Sequence, residues 1–224
     1  MTFTVRPLAL LPALLPAPLL ALLLAFALSG CVSLEVGNEP ATQLHLALRD
    51  DAQAPVQRLA QPLLPALLIQ AQPGTAMADT LSIAFTRREP VFGYYQFASW
   101  VDRPVRQLPR LLQQRLQARG LATAVGVQGE PMRADWLLTL RIDALHHDVQ
   151  TAPGQARLAL VVELFDRRSQ ARLAQQRFAV DIATERADST AAALAMSTAV
   201  GRSFDELLPW LEAELRQLPA AAGR

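Results

Sequence analysis

Leu28-Ser29-Gly30-Cys31 closes an apolar N-terminal run in this 224-residue chain and holds its only cysteine. The tetrapeptide divides the sequence into two parts that answer to different solvents. Upstream, Arg6 is the only charge before Glu35, and Leu19 to Leu28 is a proline-free apolar decapeptide. At about 1.5 Å per residue, such a helix falls well short of a hydrocarbon core about 30 Å thick. A longer span from Leu8 to Leu28 would meet Pro12, Pro16 and Pro18, each of which removes a backbone hydrogen bond. The upstream part therefore reads as a removable signal peptide, with an n-region charge and a short apolar h-region.

Leucine, two small residues and then cysteine resembles the lipobox of bacterial lipoprotein precursors. Small side chains fit beside a scissile bond, and the thiol that follows can carry a diacylglyceryl group through a thioether. Residues 1–30 are then the signal peptide, and the mature chain begins at a lipidated Cys31. One fatty chain binds a bilayer only marginally, at about 0.8 kcal/mol per buried methylene. The several chains of a mature lipoprotein would hold it permanently at a membrane surface.

Once the signal peptide is removed, the charges balance, because Arg6 is the one basic residue lost from 21 against 20 acidic ones. No basic surplus points to nucleic acid. All the basic side chains are arginines, which reads as a composition bias rather than a site. With Cys31 acylated, no thiol is left for a disulfide or a nucleophile. The remaining length suits one domain built on an apolar core.

Residues 31–42, with Gly37, Asn38 and Pro40, read as a tether; a domain follows at 43–218, and 219–224 form a tail. Alternation predicts strands at Leu44–Leu48, Leu67–Ile69, Thr80–Phe85, Val91–Trp100, Leu121–Val127, Asp135–His146, Arg157–Phe165 and Phe178–Ile182. The last three make two adjacent hairpins. Asp102 is placed to cap a helix carrying Val105, Leu108, Leu112 and Leu116, with a kink or a restart at Pro109 and a left-handed end at Gly120. Asp188 is placed to cap a final helix, bent at Pro209, whose inner face is Leu194, Ser197, Gly201, Phe204, Leu208, Leu211, Leu215 and Leu218. Strands with helices between and after them predict an α/β domain with a mixed sheet.

No G-x-S-x-G elbow, phosphate-binding glycine loop or H-E-x-x-H occurs, and the sequence offers no case for an enzyme. His146 and His147 are adjacent on a strand and point to opposite faces, so they do not share a metal; with Asp148 they read as a solvated strand end. Asp50 and Asp51 fall in a turn, where nothing would desolvate them. Five of the thirteen aromatic residues crowd into Val91–Trp100: Phe92, Tyr94, Tyr95, Phe97 and Trp100. They occupy both parities, which predicts a strand covered on both faces. Core packing and partner contact both account for aromatics so placed, and Tyr94, Tyr95 and Trp100 are the candidate partner-binding residues.

Several features in order carry a family resemblance: the lipobox, Asp79-Thr80-x-x-Ile83, Tyr94-Tyr95, and Trp100-x-Asp102-x-Pro104 before a leucine-rich helix. Ala134-Asp135-x-x-Leu138, Leu164-Phe165-Asp166-Arg167, Phe178 and the alanine-rich last helix follow. Together these resemble the ABC-type transport auxiliary lipoproteins, over about Leu44 to Leu211; Leu44-His45-Leu46 departs from the Tyr-x-Leu strand frequent there. The resemblance implies a three-layer α/β/α domain with a mixed, mostly five-stranded sheet. It implies no catalytic residue, no metal and no cofactor beyond the covalent lipid on Cys31. Its implied partners are an MCE-domain protein with an ABC permease and ATPase, with a homo-oligomer as a further option. Val32, rather than aspartate, after the cysteine implies the periplasmic face of the outer membrane. A lipid carrier holding an acyl chain in its own groove is the alternative reading.

Replacing Cys31 with alanine is expected to abolish acylation and leave unprocessed precursor. Electrophoretic mobility and detergent partitioning check it, and normal processing of that variant would defeat the lipoprotein reading.

Overall fold

The computed structural model describes residues 42–52 and 55–218; the expected signal peptide, Cys31 and nearly all of the tether lie outside them, as does the tail. Eight strands form one mixed sheet: β1 (Leu44–Leu46), β2 (Leu64–Pro73), β3 (Ser82–Arg88), β4 (Val91–Trp100), β5 (Ala122–Val127), β6 (Trp136–Asp148), β7 (Gln155–Asp166) and β8 (Ala171–Ala183). Among the described residues, two α-helices accompany them, α1 (Pro104–Arg119) and α2 (Ser189–Gln217). All eight strand segments expected from alternation are present. The five-stranded sheet implied by family resemblance is not.

The sheet branches at β6. Along one edge β7 pairs antiparallel from Trp136 to Asp148, and β8 pairs antiparallel with β7. The other edge is shared: β2 runs parallel beside Trp136–Ile142, and β3 runs parallel beside His147 and Asp148. β5 lies outside β2, while β4 and then β1 lie outside β3. A bulge between Ile142 and Ala144 changes the parity of β6 midway. Leu138, Leu140 and Ile142 face the core before it; Leu145 and His147 do so after it, opposite Leu158 and Ala156.

Both helices pack on the same side, so the expected three layers are two. α1 lies over β2 and β5, and α2 over β7 and β8. Leu108, Leu112 and Leu116 of α1 join Met196, Val200, Phe204, Leu207 and Leu211 of α2 in one core with Ile69, Leu138 and Leu160. The opposite sheet face carries Arg141–Asp143 at 2.8 Å, Arg177–Asp143 at 3.2 Å and Arg172–Glu163 at 2.8 Å. Charges that balance each other in water keep that face wet.

The helix ends separate two kinds of cap. Gly120 takes φ 66°, its N–H donates to the Gln117 carbonyl, and the Leu121 N–H donates to Leu116, with Leu116 and Leu121 both buried. This is the left-handed end expected at that glycine. Asp188 accepts from the Ala191 N–H at 2.8 Å, as expected of an N-cap. Asp102 instead accepts from the N–H of Arg103, and Arg103 is the capping position, without a side-chain bond. Both helices run unbroken through Pro109 and Pro209. Leu194, expected on the inner face of α2, is exposed.

Ser197 and Gly201 make a notch on α2 that receives the chain after β1. The Arg49 N–H donates to Ser197 Oγ at 3.1 Å, and a Cβ at Gly201 would collide with the Asp51 carbonyl. That crossing carries Asp50 onto Arg115 of α1, correcting its reading as a solvated turn. The Arg115 side chain, 3% exposed, bonds Asp50 through two nitrogens and Asp205 of α2 at 2.5 Å. One turn on, Arg119 pairs with Glu212 at 2.6 Å and donates to the Gln57 carbonyl. Two guanidinium groups thus tie three separate segments over the core.

Arg115→Ala would strand Asp50 and Asp205 beside each other without a counter-charge. A loss of about 3–5 kcal/mol in urea-unfolding stability is expected; a change under about 1 kcal/mol would place the ion cluster among surface pairs of little consequence.

Candidate functional site

The aromatic strand β4 is divided along its length rather than by parity. Phe92, Tyr94 and Phe97 are 38%, 49% and 48% exposed, whereas Trp100 is 2% exposed within the core. The expected cover on both faces is therefore absent over most of the strand. The cause is position: β4 lies near the sheet margin with only the short β1 outside it, and the helices pack chiefly on other strands. Between Ala84 and Ser82 of β3, the partner positions on β4 jump from Tyr94 to Ser99, so Tyr95–Ala98 bulge out of register.

Of the three candidate partner-binding residues, Tyr94 is exposed, Tyr95 is partly buried and Trp100 is core. Tyr95 packs against Phe85 with ring centres 4.9 Å apart, and Arg87 lies 4.8 Å from the Phe85 ring centre. These side chains, with Tyr94, Gln96 and Val149, line an open cleft of about 360 Å³. Arg87 has no carboxylate partner within 4 Å among the described residues.

Beneath the cleft, the end of β6 is buried, contrary to its expected solvation; His146, His147 and Asp148 are all nearly inaccessible. His147 Nδ1 lies 2.8 Å from the Tyr95 hydroxyl, and Nε2 lies 3.0 Å from Thr184 Oγ1. The Thr184 hydroxyl donates to the Pro153 carbonyl at 2.9 Å. With that proton committed, the ring must donate from Nε2 to Thr184, leaving Nδ1 to accept from Tyr95. The chain of donors runs from β4 through β6 to the segment between β8 and α2. Burial, and then the charge of Asp188, raise the Tyr95 hydroxyl above its ordinary 10.0, with Arg87 opposing, so Tyr95 remains a donor near neutrality.

His146 occupies the other face, as adjacent strand residues must. Phe92 stands edge-on to its ring at 5.1 Å, and neither ring nitrogen has a hydrogen-bond partner among the described residues. Asp148 pairs with Arg157 at 2.8 Å. No group of three His, Cys, Asp or Glu side chains among the described residues is arranged to hold a metal ion. Both nitrogens of His147 are occupied, and a directed relay ending on a carbonyl orients a strand rather than activating a nucleophile. An exposed aromatic surface above a guanidinium-bearing cleft suits recognition.

Sequence reasoning missed the buried role of His147. The apolar alternation of β6 continues into it only after the one-residue bulge at Asp143, which the pattern by itself does not announce.

A family model described as the ABC-type transport auxiliary lipoprotein component matches residues 47–207. No protein of curated function matches the sequence. Among solved structures, the chain is similar to protein XCC0632 from Xanthomonas campestris, with 18% identity and a TM-score of 0.64 over 79% of this chain and 95% of that one. It is also similar to an uncharacterized protein with 11% identity and a TM-score of 0.54, over 69% and 96% of the two chains. PelC from Paraburkholderia phytofirmans, a dodecamer, is more distant, with 14% identity and a TM-score of 0.38 over 67% and 92%. The first two likenesses concern the fold.

Burial lowers both imidazoles below the ordinary 6.5. At His146, Arg157 adds to the effect while Asp148, Glu89 and Asp181 oppose it; at His147, the Pro153 carbonyl, Asp148 and Asp188 oppose it. The unfolded chain therefore binds more protons just below pH 6.5, so this stability is complete above about 6.5 and is lost as pH falls. The loss is at most about 1.4 kcal/mol per pH unit for each histidine. His146→Leu removes one such group and two unsatisfied nitrogens. It is expected to match or exceed the parent's stability near neutrality and to lose less of its urea midpoint on acidification; equal losses would clear His146 of this role.

Proposed function

Since the chain belongs to the ABC-type transport auxiliary lipoprotein component family, we propose that it is a non-catalytic, lipid-anchored accessory of an ABC transport system of the MCE type, serving lipid movement between the two envelope membranes. The family match, which spans the domain from Ala47 to Leu207, carries this reading. Lipid on Cys31 would hold the domain at the periplasmic face of the outer membrane, in keeping with Val32 at the following position. The MCE-domain protein, with its permease and ATPase, is the proposed partner.

Docking is assigned to the exposed part of β4, through Tyr94 with its neighbour Phe92. Aromatic side chains supply large contact area at small entropic cost, which makes them frequent anchors of interfaces. Tyr95 serves beneath them as a support through His147, and Trp100 serves the core. Neither is assigned a partner contact.

The cleft beside Tyr94 favours the lipid-carrier alternative to a degree. Its volume of about 360 Å³ sits near the lower limit of small-ligand sites. That is room for a headgroup or a short chain rather than for a two-chain lipid. Purification without bound phospholipid supports the accessory reading; stoichiometric phospholipid in the extracted protein supports the carrier.

Alanine variants of Tyr94 and Phe92 are expected to melt within a few degrees of the parent and to lose co-purification with the MCE-domain protein. Trp100→Ala is expected to cost about 3–5 kcal/mol, measured by urea unfolding. Retention of the partner by both exposed-residue variants would remove β4 as the docking site.

A further inference from the structure

Exposed apolar side chains gather at a second place, the corner where β1 lies on the C-terminal end of β4. Leu44 sits opposite Ala98, while Phe97, the next residue along β4, turns to the other face of the sheet, so the corner is apolar on both faces. The Trp100 N–H donates to the Leu81 carbonyl at 2.7 Å, and the Val101 N–H donates to Leu46 at 2.9 Å. Leu44, Leu81, Phe97 and Val101 are all exposed, and all attach to this one stretch of backbone. Phe97 and Val101 are kept out of the core, because Ala98 and Trp100 occupy the inward positions of the same stretch.

Cations border the corner. Arg103, Arg106 and Arg110 follow at the start of α1, all exposed. Asp79 pairs with Arg103 at 3.1 Å and Asp102 with Arg110 at 3.8 Å, which leaves Arg106 without an ion-pair partner among the described residues. Apolar side chains rimmed by an unneutralised guanidinium match the layering of a bilayer interface with anionic headgroups.

The chain itself selects that occupant. Leu44 follows Cys31 by thirteen residues, which span at most about 45 Å however they are arranged. β1 is the first strand among the described residues, and the corner it forms is the part of the domain nearest to Cys31 along the chain. We propose that Leu44, Leu81, Phe97 and Val101 enter the interfacial layer of the bilayer that holds Cys31, with Arg106 among the lipid phosphates. This rests on the lipoprotein reading. It fixes an orientation as well as an attachment, since Phe92 and Tyr94 lie toward the other end of β4.

The test uses the full, processed chain in vesicles of phosphatidylethanolamine and phosphatidylglycerol. With Cys31 acylated, Phe97→Cys, Val101→Cys and, on β8, Leu173→Cys each offer one thiol for an environment-sensitive fluorophore. Labels at 97 and 101 are expected to shift to the blue and to lose most of their emission to nitroxide-bearing lipids, while the label at 173 does neither. Flotation with the vesicles, together with identical behaviour of all three labels, overturns the membrane contact and leaves the anchor standing. A blue shift that follows protein concentration and resists lipid quenching makes the corner an interface between copies, and also overturns it. Failure of the processed chain to float overturns the anchor and this inference together.

Discussion

Strand β6 is the constraint on which the rest of the molecule depends. Its thirteen residues exceed what any single neighbour on its inner edge can pair with, so β2 takes the first half and β3 the end. Each then brings its own outer strand, β5 on one branch and β4 with β1 on the other. A sheet divided in this way cannot be covered evenly by two helices. α1 goes to the β2–β5 branch and α2 to the β7–β8 hairpin, and the β3–β4 branch is left with little cover. The exposed aromatics of β4 follow from that allocation.

The bulge at Asp143 makes the branch work. Without the extra residue, period-two alternation would turn Ala144 and His146 toward the helices and Leu145 and His147 away. With it, Leu145 continues the core, and His147 reaches Tyr95 on the same side as Thr184. Asp143 itself lies on the polar face, held by Arg141 and Arg177, whose charges keep its carboxyl below the ordinary carboxylate range, Arg141 contributing most through its hydrogen bonds. One inserted residue thus serves both faces: a carboxylate for the arginines outside and a change of phase for the core inside.

Much of this was legible from local rules and some was not, and the division has a physical basis. The strand segments, the Asp188 cap and the Gly120 terminus depend on side chains within a few residues of one another, and the sequence reveals such arrangements directly. Asp102 misled because a carboxylate can bond the adjacent N–H as readily as reach into the helix, and nothing local decides between them. Both helices continue through Pro109 and Pro209 because tertiary packing of Leu108, Leu112, Leu208 and Leu211 outweighs a missing hydrogen bond. The exposure of β4, the burial of Asp50 against Arg115 and the burial of His147 depend on distant partners: 65 positions separate Asp50 from Arg115, and 52 separate Tyr95 from His147. Alternation reports which side a residue faces, and it is silent on whether anything lies there. The number of layers escaped for the same reason, since two amphipathic helices with one apolar face each suit one side of a sheet as well as two.

The relay under β4 bears on how its exposed aromatics can act. An exposed strand near a sheet edge is ordinarily free to flex, and a partner binding there would have to immobilise it at an entropic cost. Here Tyr95, the residue after Tyr94, is held by His147, whose other nitrogen is bound to Thr184 and through it to the Pro153 carbonyl. Phe92, two residues the other way, rests edge-on against His146. Tyr94 therefore projects from backbone pinned on both sides, each time to β6, the strand with the most neighbours in the sheet. An unsatisfied imidazole beneath Phe92 costs stability, as buried polar groups without partners do. What stands against that cost is a presented aromatic pair that needs little further ordering when a partner arrives.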